Sequence, residues 1–263
     1  MARKEIFIFI YLLIYTFIPF EKKKFKFYYK FFLFPITILI WEPVIFFILF
    51  FIFLDLIENN IKKFNKLFFF KIISYFPSIL LATYIALNPI SEESHNLMRI
   101  SLMENFNENC YMSCELLKTK SSIYQQFQGN FNKYSIEIFV RYILIILVGF
   151  GPLFILLFNS SLKSKVFFLN KFKNLLFPYL ILLSPVILLF AMGYDWGRWV
   201  NISYVISALT VFSLLKNKKI NLNTTLLKQN FLYKIKGKMF VILFIIFCFG
   251  WNPKTVMLGD VAS

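Results

Sequence analysis

Long apolar runs alternate with short lysine-rich segments along the chain. Several runs approach the roughly 20 residues that a helix needs to cross about 30 Å of hydrocarbon. The pattern predicts about seven membrane spans, at residues 5–20, 31–57, 68–87, 136–158, 175–192, 199–215 and 239–251. The predicted fold class is therefore all-α, a polytopic transmembrane helical bundle in which residues 1–263 form a single integral membrane domain.

The second predicted span, residues 31–57, is interrupted by Pro35 and by Trp41-Glu42-Pro43. Proline removes a helical hydrogen bond and kinks or breaks a helix. We expect two half-helices that meet near Glu42, with the break at Pro43. Glu42 is interpreted as the one acid well inside a span, and intramembrane acids are functional candidates by default.

The longest polar segment, residues 90–135, carries five acidic and four basic residues. This near-balance is typical of an outer loop, because lysine and arginine accumulate on the cytoplasmic side. Met98, Leu102, Phe106 and Cys110 recur at helical spacing. We predict an amphipathic helix on the outer membrane surface.

Composition favours a membrane protein over a soluble domain and over a nucleic-acid-binding protein. The chain is 59% hydrophobic, whereas soluble domains are about 45–50% apolar. Its net charge of +16 comes from lysines clustered between apolar runs, the positive-inside pattern rather than a nucleic-acid footprint. The first apolar run follows a basic start but lacks a small-residue cleavage site, so it is interpreted as a retained span.

Seven crossings leave one conflict with the positive-inside rule. Counting back from the outer loop places the lysine run at residues 22–30 on the outside. The alternative is a re-entrant second span with both ends inside and the N-terminus outside. Seven crossings are the preferred interpretation. The chain ends soon after the last span, as a fragment or a shorter relative of a larger protein would.

The segment Ala191–Tyr204 holds the main candidate site. Asp195 and Arg198 lie three residues apart, flanked by Trp196 and Trp199. Asp195 could cap the following helix, which would leave Arg198 unexplained at the positive end of the helix dipole. Alternatively, Asp195 and Arg198 form an ion pair, with Asp195 orienting the guanidinium.

Arginine is rare in this chain, with four arginines among the 29 basic residues. Arg99, Arg141 and Arg198 all fall at or near the predicted outer face, where the positive-inside bias would remove cations. A guanidinium grips phosphate or carboxylate with its planar fork. The three are therefore candidate substrate-binding residues. The alternative is structural ion pairing, for example of Arg141 with Glu137.

Trp196, Trp199 and Trp251 also fall near this face, with Lys254 close to the third. One interpretation is the aromatic belt, in which indoles lie at headgroup level. The other is a platform for stacking a sugar ring, with Lys254 as a further substrate-binding residue. Both interpretations stay open.

Acid–base candidates are His95, Glu92 and Asp195. A histidine has a suitable pKa for a general base, and carboxyl groups serve the same chemistry. A solvated or structural role is the alternative for each. Cys110 and Cys114, four residues apart, are interpreted as free thiols in preference to a strained disulfide. No metal site and no cofactor are predicted, because no paired cysteine motif is present.

The motif Gly193–Trp199, followed after the next span by Trp251-Asn252-Pro253-Lys254, resembles a group of bacterial membrane proteins associated with surface-polysaccharide gene sets. More distantly, the architecture is similar to the O-antigen polymerase class. The resemblance implies a bacterial inner-membrane protein acting at the outer face on a polyprenyl-diphosphate-linked glycan, with outer arginines as functional residues. The chain is smaller than such polymerases, which usually have more spans and a larger outer loop.

The leading hypothesis is therefore a multi-pass inner-membrane protein of surface-polysaccharide assembly, which binds or transfers a lipid-linked glycan at its outer face. A transporter or channel component is the first alternative, and it would depend on Glu42 and the broken span. A non-catalytic accessory subunit is the second, and it would depend on span surfaces only. The predicted partners are the lipid bilayer and the glycan, with no nucleic acid.

Overall fold

The computed structural model describes residues 4–18, 22–88, 90–110, 123–132, 134–163, 166, 169, 171–193, 195–229, 235 and 237–251. This part of the chain is mainly helical, with one two-stranded sheet. Three of its helices are long and apolar enough to cross a membrane, namely Lys66–Leu87, Ile136–Phe158 and Trp196–Lys216. These three helices support the prediction of a helical membrane protein. About seven spans is not confirmed, because the other apolar helices are shorter.

The elements follow the apolar runs of the sequence. The α-helices are α1 (Ile6–Phe17), α2 (Lys23–Tyr28), α3 (Phe34–Ile40), α4 (Ile48–Glu58), α5 (Lys66–Ile73), α6 (Phe76–Leu87), α7 (Glu92–Phe106), α8 (Ile123–Phe131), α9 (Ile136–Phe158), α10 (Leu176–Leu183), α11 (Ile187–Met192), α12 (Trp196–Lys216), α13 (Thr224–Gln229) and α14 (Lys238–Gly250). A π-helical turn, Tyr29–Leu33, joins α2 to α3, and 3-10 segments, Glu42–Phe47 and Ser184–Val186, precede α4 and α11. Strands β1 (Ser160–Leu162) and β2 (Ile220–Leu222) pair antiparallel.

Helix α12 forms the centre of the bundle, with twelve buried residues among its 21. Its buried face includes Ser203, Ser207 and Thr210, and each hydroxyl donates to a carbonyl of the preceding turn. Ser207 also accepts a hydrogen bond from Tyr179 of α10 at 2.8 Å. Small hydroxyl residues let neighbouring helices approach closely without leaving a polar group unpaired.

Residues 23–58 form a helical hairpin. Pro35 cannot donate to the carbonyl four residues earlier, and the π-helical turn ends two residues before it. At Trp41 the backbone is extended, and the chain then reverses into the 3-10 segment and α4. Lys26 bonds Glu58 at 2.7 Å and Lys30 bonds Asp55 at 2.6 Å. Both ends of the hairpin therefore lie at the same end of the bundle.

Helix α1 runs alongside α12 in the same direction. Glu5, just before α1, contacts Arg198 in the first turn of α12. At the other end, the Lys216 ammonium lies 3.9 Å from the ring centre of Phe17. We call these two ends of the bundle the Arg198 end and the lysine end. Lys219, next to β2, donates to the carbonyl of Glu58, so the small sheet lies at the lysine end.

A helix, α7, is present where the outer-loop helix was predicted, but it ends at Phe106, so Cys110 of the predicted apolar face lies beyond it. The Ser91 hydroxyl caps it by accepting from the amide of Ser94 at 3.1 Å, and Asn107 ends it in the left-handed conformation. Several large apolar residues of α7 are exposed, namely Leu97, Ile100, Met103 and Phe106. This exposure fits a helix that lies against lipid.

Candidate functional site

Arg198 at the start of α12 contacts two carboxylates. Its Nε lies 2.8 Å from Glu5 Oε1, and its Nη1 lies 2.8 Å from Asp195 Oδ2. Asp195 occupies the N-cap position of α12, but its side chain makes no capping hydrogen bond. The capping role considered for Asp195 is therefore wrong, and the carboxylate binds the guanidinium instead. Glu5, which sequence spacing could not connect to Arg198, completes the cluster.

This arrangement fixes the guanidinium while leaving part of it accessible. The Arg198 side chain is 46% exposed, whereas Glu5 is only 9% exposed. A guanidinium has five N–H donors in a fixed fork, and the two contacts use only part of that fork. The remaining donors can bind the oxygen of a phosphate, a carboxylate or a sugar hydroxyl. Two carboxylates around one cation also make the cluster suited to accept hydrogen bonds from hydroxyl groups.

The tryptophans of the motif are buried between helices. The Trp196 indole N–H donates to the carbonyl of Phe190 at 2.7 Å, and its ring packs edge-on against Tyr142. Trp199 stacks on Trp41 at the apex of the hairpin, with ring centres 5.7 Å apart. Both indoles are less than a tenth exposed. In this structure they hold α12 to its neighbours, and their faces are covered by other side chains.

Trp251 packs deeper in the bundle. Its N–H donates to the carbonyl of Ile145 at 2.9 Å, and its ring meets Tyr204. Since Ile145 is nine residues into α9, this contact lies about 14 Å from the start of that helix at 1.5 Å per residue. The structure therefore does not bring Trp251 to the tryptophans of the Arg198 end. Lys254 lies outside the described residues.

The other arginines differ from Arg198. Arg141 pairs with Glu137 one turn earlier in α9 at 3.0 Å, the structural pairing considered from the sequence. Arg99 on α7 is exposed, with no ion pair to the described part of the chain. Among the described residues, Arg99 is therefore a cation accessible to an anionic ligand.

The acid–base candidates of the outer loop do not converge with Arg198 in any described contact. Glu92 is exposed in the first turn of α7. His95 is buried, with its Nε2 3.7 Å from the sulfur of Cys110. Cys110 is disulfide-bonded, so its expected free thiol is wrong, and Cys114 lies outside the described residues.

A second polar site at the lysine end was missed by the sequence interpretation. Glu42, the acid that the sequence pattern had indicated, is exposed at the hairpin apex. The buried acid is Asp55, near the end of the predicted span 31–57. Both Asp55 and its partner Lys30 are 0% exposed.

Asp55 is the centre of this second site. It accepts hydrogen bonds from Lys30 at 2.6 Å, Tyr15 at 2.6 Å and Tyr75 at 2.8 Å. The ammonium of Lys71 lies 3.9 Å from Asp55 Oδ1. We call the side chains of Lys26, Lys30, Asp55, Glu58 and Lys71 the buried ionic cluster. All five are at most 5% exposed.

Local sequence explains how the buried ionic cluster forms. Lys26 and Lys30 are four residues apart, and Asp55 and Glu58 are three apart, so each pair shares one helical face. The two faces oppose each other across the hairpin. Tyr75 lies at the break between α5 and α6, two residues before Pro77. An aspartate within an apolar run, facing lysines at helical spacing, was the available signal.

Comparison of the chain with protein-family models, with curated proteins and with solved structures finds no match. The resemblance to surface-polysaccharide proteins therefore rests on the short motifs alone.

Proposed function

We propose that the chain is a multi-pass inner-membrane protein that crosses the bilayer eight times, with its N-terminus and its Arg198 end outside. The crossings are α1, α2 with α3, the 3-10 segment with α4, α5 with α6, α9, α10 with α11, α12 and α14. The hairpin supports this topology, because it gathers residues 22–30 with the other lysine-rich segments. The lysine run at residues 22–30 is then on the inside, as the positive-inside rule requires.

The function we propose is surface-polysaccharide assembly, in which the Arg198 end binds a lipid-linked glycan. The observation that carries the proposal is a half-exposed guanidinium fixed by Glu5 and Asp195 at the end remote from the lysines. Arg198 supplies donors to phosphate or hydroxyl oxygens, and its two carboxylates accept from hydroxyl groups. Arg99, exposed on α7, is a second candidate cation for the diphosphate.

The test is a deletion strain complemented with wild type, Arg198→Lys or Arg141→Lys. We expect deletion to remove or shorten the surface glycan on a gel, wild type to restore it, and Arg198→Lys to fail. Lysine keeps the charge but cannot reproduce the two-sided guanidinium contact. Arg141→Lys is the matched control, because Arg141 pairs only with exposed Glu137 among the described residues.

Membrane levels of each variant are measured in parallel by immunoblotting. A glycan profile that is unchanged by the deletion would overturn the proposal. Full complementation by Arg198→Lys would show that the guanidinium of Arg198 has no part in the proposed function.

A transporter is the second candidate, because intramembrane ionisable residues mark ion and solute pathways. The buried ionic cluster and the broken hairpin favour it, since discontinuous helices build transport sites. This candidate predicts that Lys71→Met, which keeps the three hydrogen bonds of Asp55, fails to complement the deletion strain at normal membrane levels, whereas Arg198→Lys complements it. The opposite pattern favours the glycan function.

A further inference from the structure

His95 is the one buried residue of α7, a helix of 15 residues whose other side chains are at least partly exposed. The histidine is 3% exposed. Burying an imidazole costs free energy unless its polar atoms find partners. The function proposed for the Arg198 end makes no use of this histidine.

The chain turns back after α7 and brings a cysteine to His95. Asn107 adopts the left-handed conformation, and the amide of Glu108 donates to the carbonyl of Leu102 at 3.2 Å. Such a turn ends a helix and redirects the chain. Cys110 thereby returns to the first turn of α7, where its Sγ lies 3.7 Å from His95 Nε2.

The cysteine sulfur at this contact belongs to a disulfide. The chain has three cysteines and Cys248 is free, so the partner of Cys110 within the chain is Cys114. A disulfide sulfur carries no proton, so it can only accept a hydrogen bond. The contact therefore assigns the proton on the ring: His95 Nε2 carries an N–H and donates to Cys110 Sγ.

An N–H donor at this sulfur favours thiol–disulfide exchange. In that reaction a thiolate attacks one sulfur of a disulfide, and the other sulfur leaves with a negative charge. A hydrogen bond to a charged acceptor is stronger than one to a neutral acceptor. The His95 N–H therefore stabilises Cys110 more as it leaves than in the closed disulfide, which is the condition for catalysis.

The position of Cys110 fits this chemistry. The residue is partly exposed, and the seven-crossing and eight-crossing topologies both place α7 outside. Disulfides form and persist in the oxidising environment on that side of the membrane. The positive end of the α7 dipole, at the first turn, also favours a thiolate there.

We propose that the Cys110–Cys114 disulfide exchanges with a dithiol of another protein outside the membrane, with His95 as a catalytic residue. A substrate thiolate attacks the Cys114 sulfur, the bond between the two cysteines breaks, and Cys110 leaves as a thiolate beside the His95 N–H. The second substrate thiolate attacks the substrate sulfur of the mixed disulfide, and Cys114 leaves as a thiolate.

The reaction is balanced in electrons and protons. The substrate dithiol is oxidised to a disulfide and gives two electrons to the two cysteines. Its two thiol protons pass to solvent, from which the cysteine thiolates take protons. This activity is independent of the glycan function, because it uses neither Arg198 nor its carboxylates.

The first test measures whether glutathione opens the disulfide in the folded protein. Reduced glutathione is added to the purified Cys248→Ser protein in detergent, and free thiols are counted by the gel shift of a maleimide-linked polymer. We expect opening without denaturant, because exchange-active disulfides react with glutathione whereas structural ones resist it. A disulfide that stays closed in glutathione would overturn the proposal.

His95→Phe tests the histidine in the same assay. Phenylalanine keeps a flat ring in the buried site but has no N–H. We expect the rate of opening to fall about tenfold, the scale of one hydrogen bond to a charged group. His95→Gln, which restores an N–H, should recover part of the rate. Asn96→Gln, at an exposed position of α7, is the matched control and should react at the wild-type rate. Equal rates for wild type and His95→Phe would overturn the assignment of His95.

Single-cysteine variants keep the test decisive if His95→Phe does not fold. Cys114→Ser with Cys248→Ser leaves only the Cys110 thiol, and Cys110→Ser with Cys248→Ser leaves only the Cys114 thiol. An aromatic disulfide at neutral pH is the probe. We expect Cys110 to react about tenfold faster, because the His95 N–H stabilises its thiolate. An equal or faster reaction of Cys114 would contradict the proposal.

Discussion

At the scale of residues, Arg198 at one end of the bundle and Asp55 at the other are held in place by different contacts. Arg198 is held by one neighbour in sequence, Asp195, and by one distant residue, Glu5. The first contact was one of two alternatives that the sequence offered, because residues three apart share a helical face. The second contact, and the whole environment of Asp55, depend on which helices pack together. Spacing along the chain carries no information about that.

Asp55→Asn is expected to destabilise the fold strongly. The amide keeps the shape but leaves the Lys30 ammonium buried and without a counter-charge, and breaking a buried pair typically costs about 3–5 kcal/mol. Melting of the purified protein in detergent measures the loss. Glu137→Gln is the control, because its partner Arg141 is at the surface and its own side chain is 81% exposed. Equal melting of the two variants would contradict a structural role for Asp55.

At the scale of elements, proline and glycine positions decide where helices break and touch. Pro35 and Pro77 each follow an irregular segment. The first segment contributes Lys30 to the buried ionic cluster, and the second contributes Tyr75, which donates to Asp55. The break at Trp41 could be predicted, because proline cannot continue a helical hydrogen-bond ladder. The direction that the chain takes after the break could not be predicted, since the same proline is compatible with a kinked helix and with a reversal of the chain.

Gly149→Ala should loosen α14 from α9. A Cβ at Gly149 would overlap the Trp251 ring, whereas nothing lies within 4 Å of one at Gly151. Trp251 would have to leave its place against Ile145. We expect stronger quenching of tryptophan fluorescence by a soluble quencher, and a lower melting temperature.

Gly151→Ala, in the same helix, is the matched control. It should melt at the wild-type temperature or slightly above it, because alanine favours a helix over glycine by about 1 kcal/mol. Wild-type quenching in Gly149→Ala would show that Trp251 does not need the glycine.

At the scale of the whole molecule, the hairpin has both its ends at one end of the bundle, as the re-entrant alternative for the second span required, and we propose that its two arms are full crossings. The contacts Lys26–Glu58 and Glu5–Arg198 put residues 22–30 and the N-terminus at opposite ends of the bundle. The eight-crossing proposal follows from these two pairs. Seven crossings would place both segments on the other side.

Cysteine labelling distinguishes the two topologies, in a background with Cys110, Cys114 and Cys248 changed to serine. With eight crossings, a membrane-impermeant maleimide on intact cells labels Lys4→Cys and not Lys24→Cys. With seven crossings, the labelling is reversed. Ser94→Cys is the labelled control and Lys63→Cys the unlabelled one, because both topologies agree on these positions. Glu42→Cys, exposed at the hairpin apex, should be labelled with eight crossings.

The sequence by itself predicted a helical membrane protein and a break of residues 31–57 near Glu42, and it offered the Asp195–Arg198 ion pair as one of two alternatives. Apolar run length, proline and helical spacing are local properties, so they can be taken from the chain directly. Only the tertiary structure decided that Glu5 completes the Arg198 site, that the motif tryptophans are packing residues, and that Asp55 gathers buried lysines. These features depend on the free energy of helix packing, which joins residues far apart in sequence.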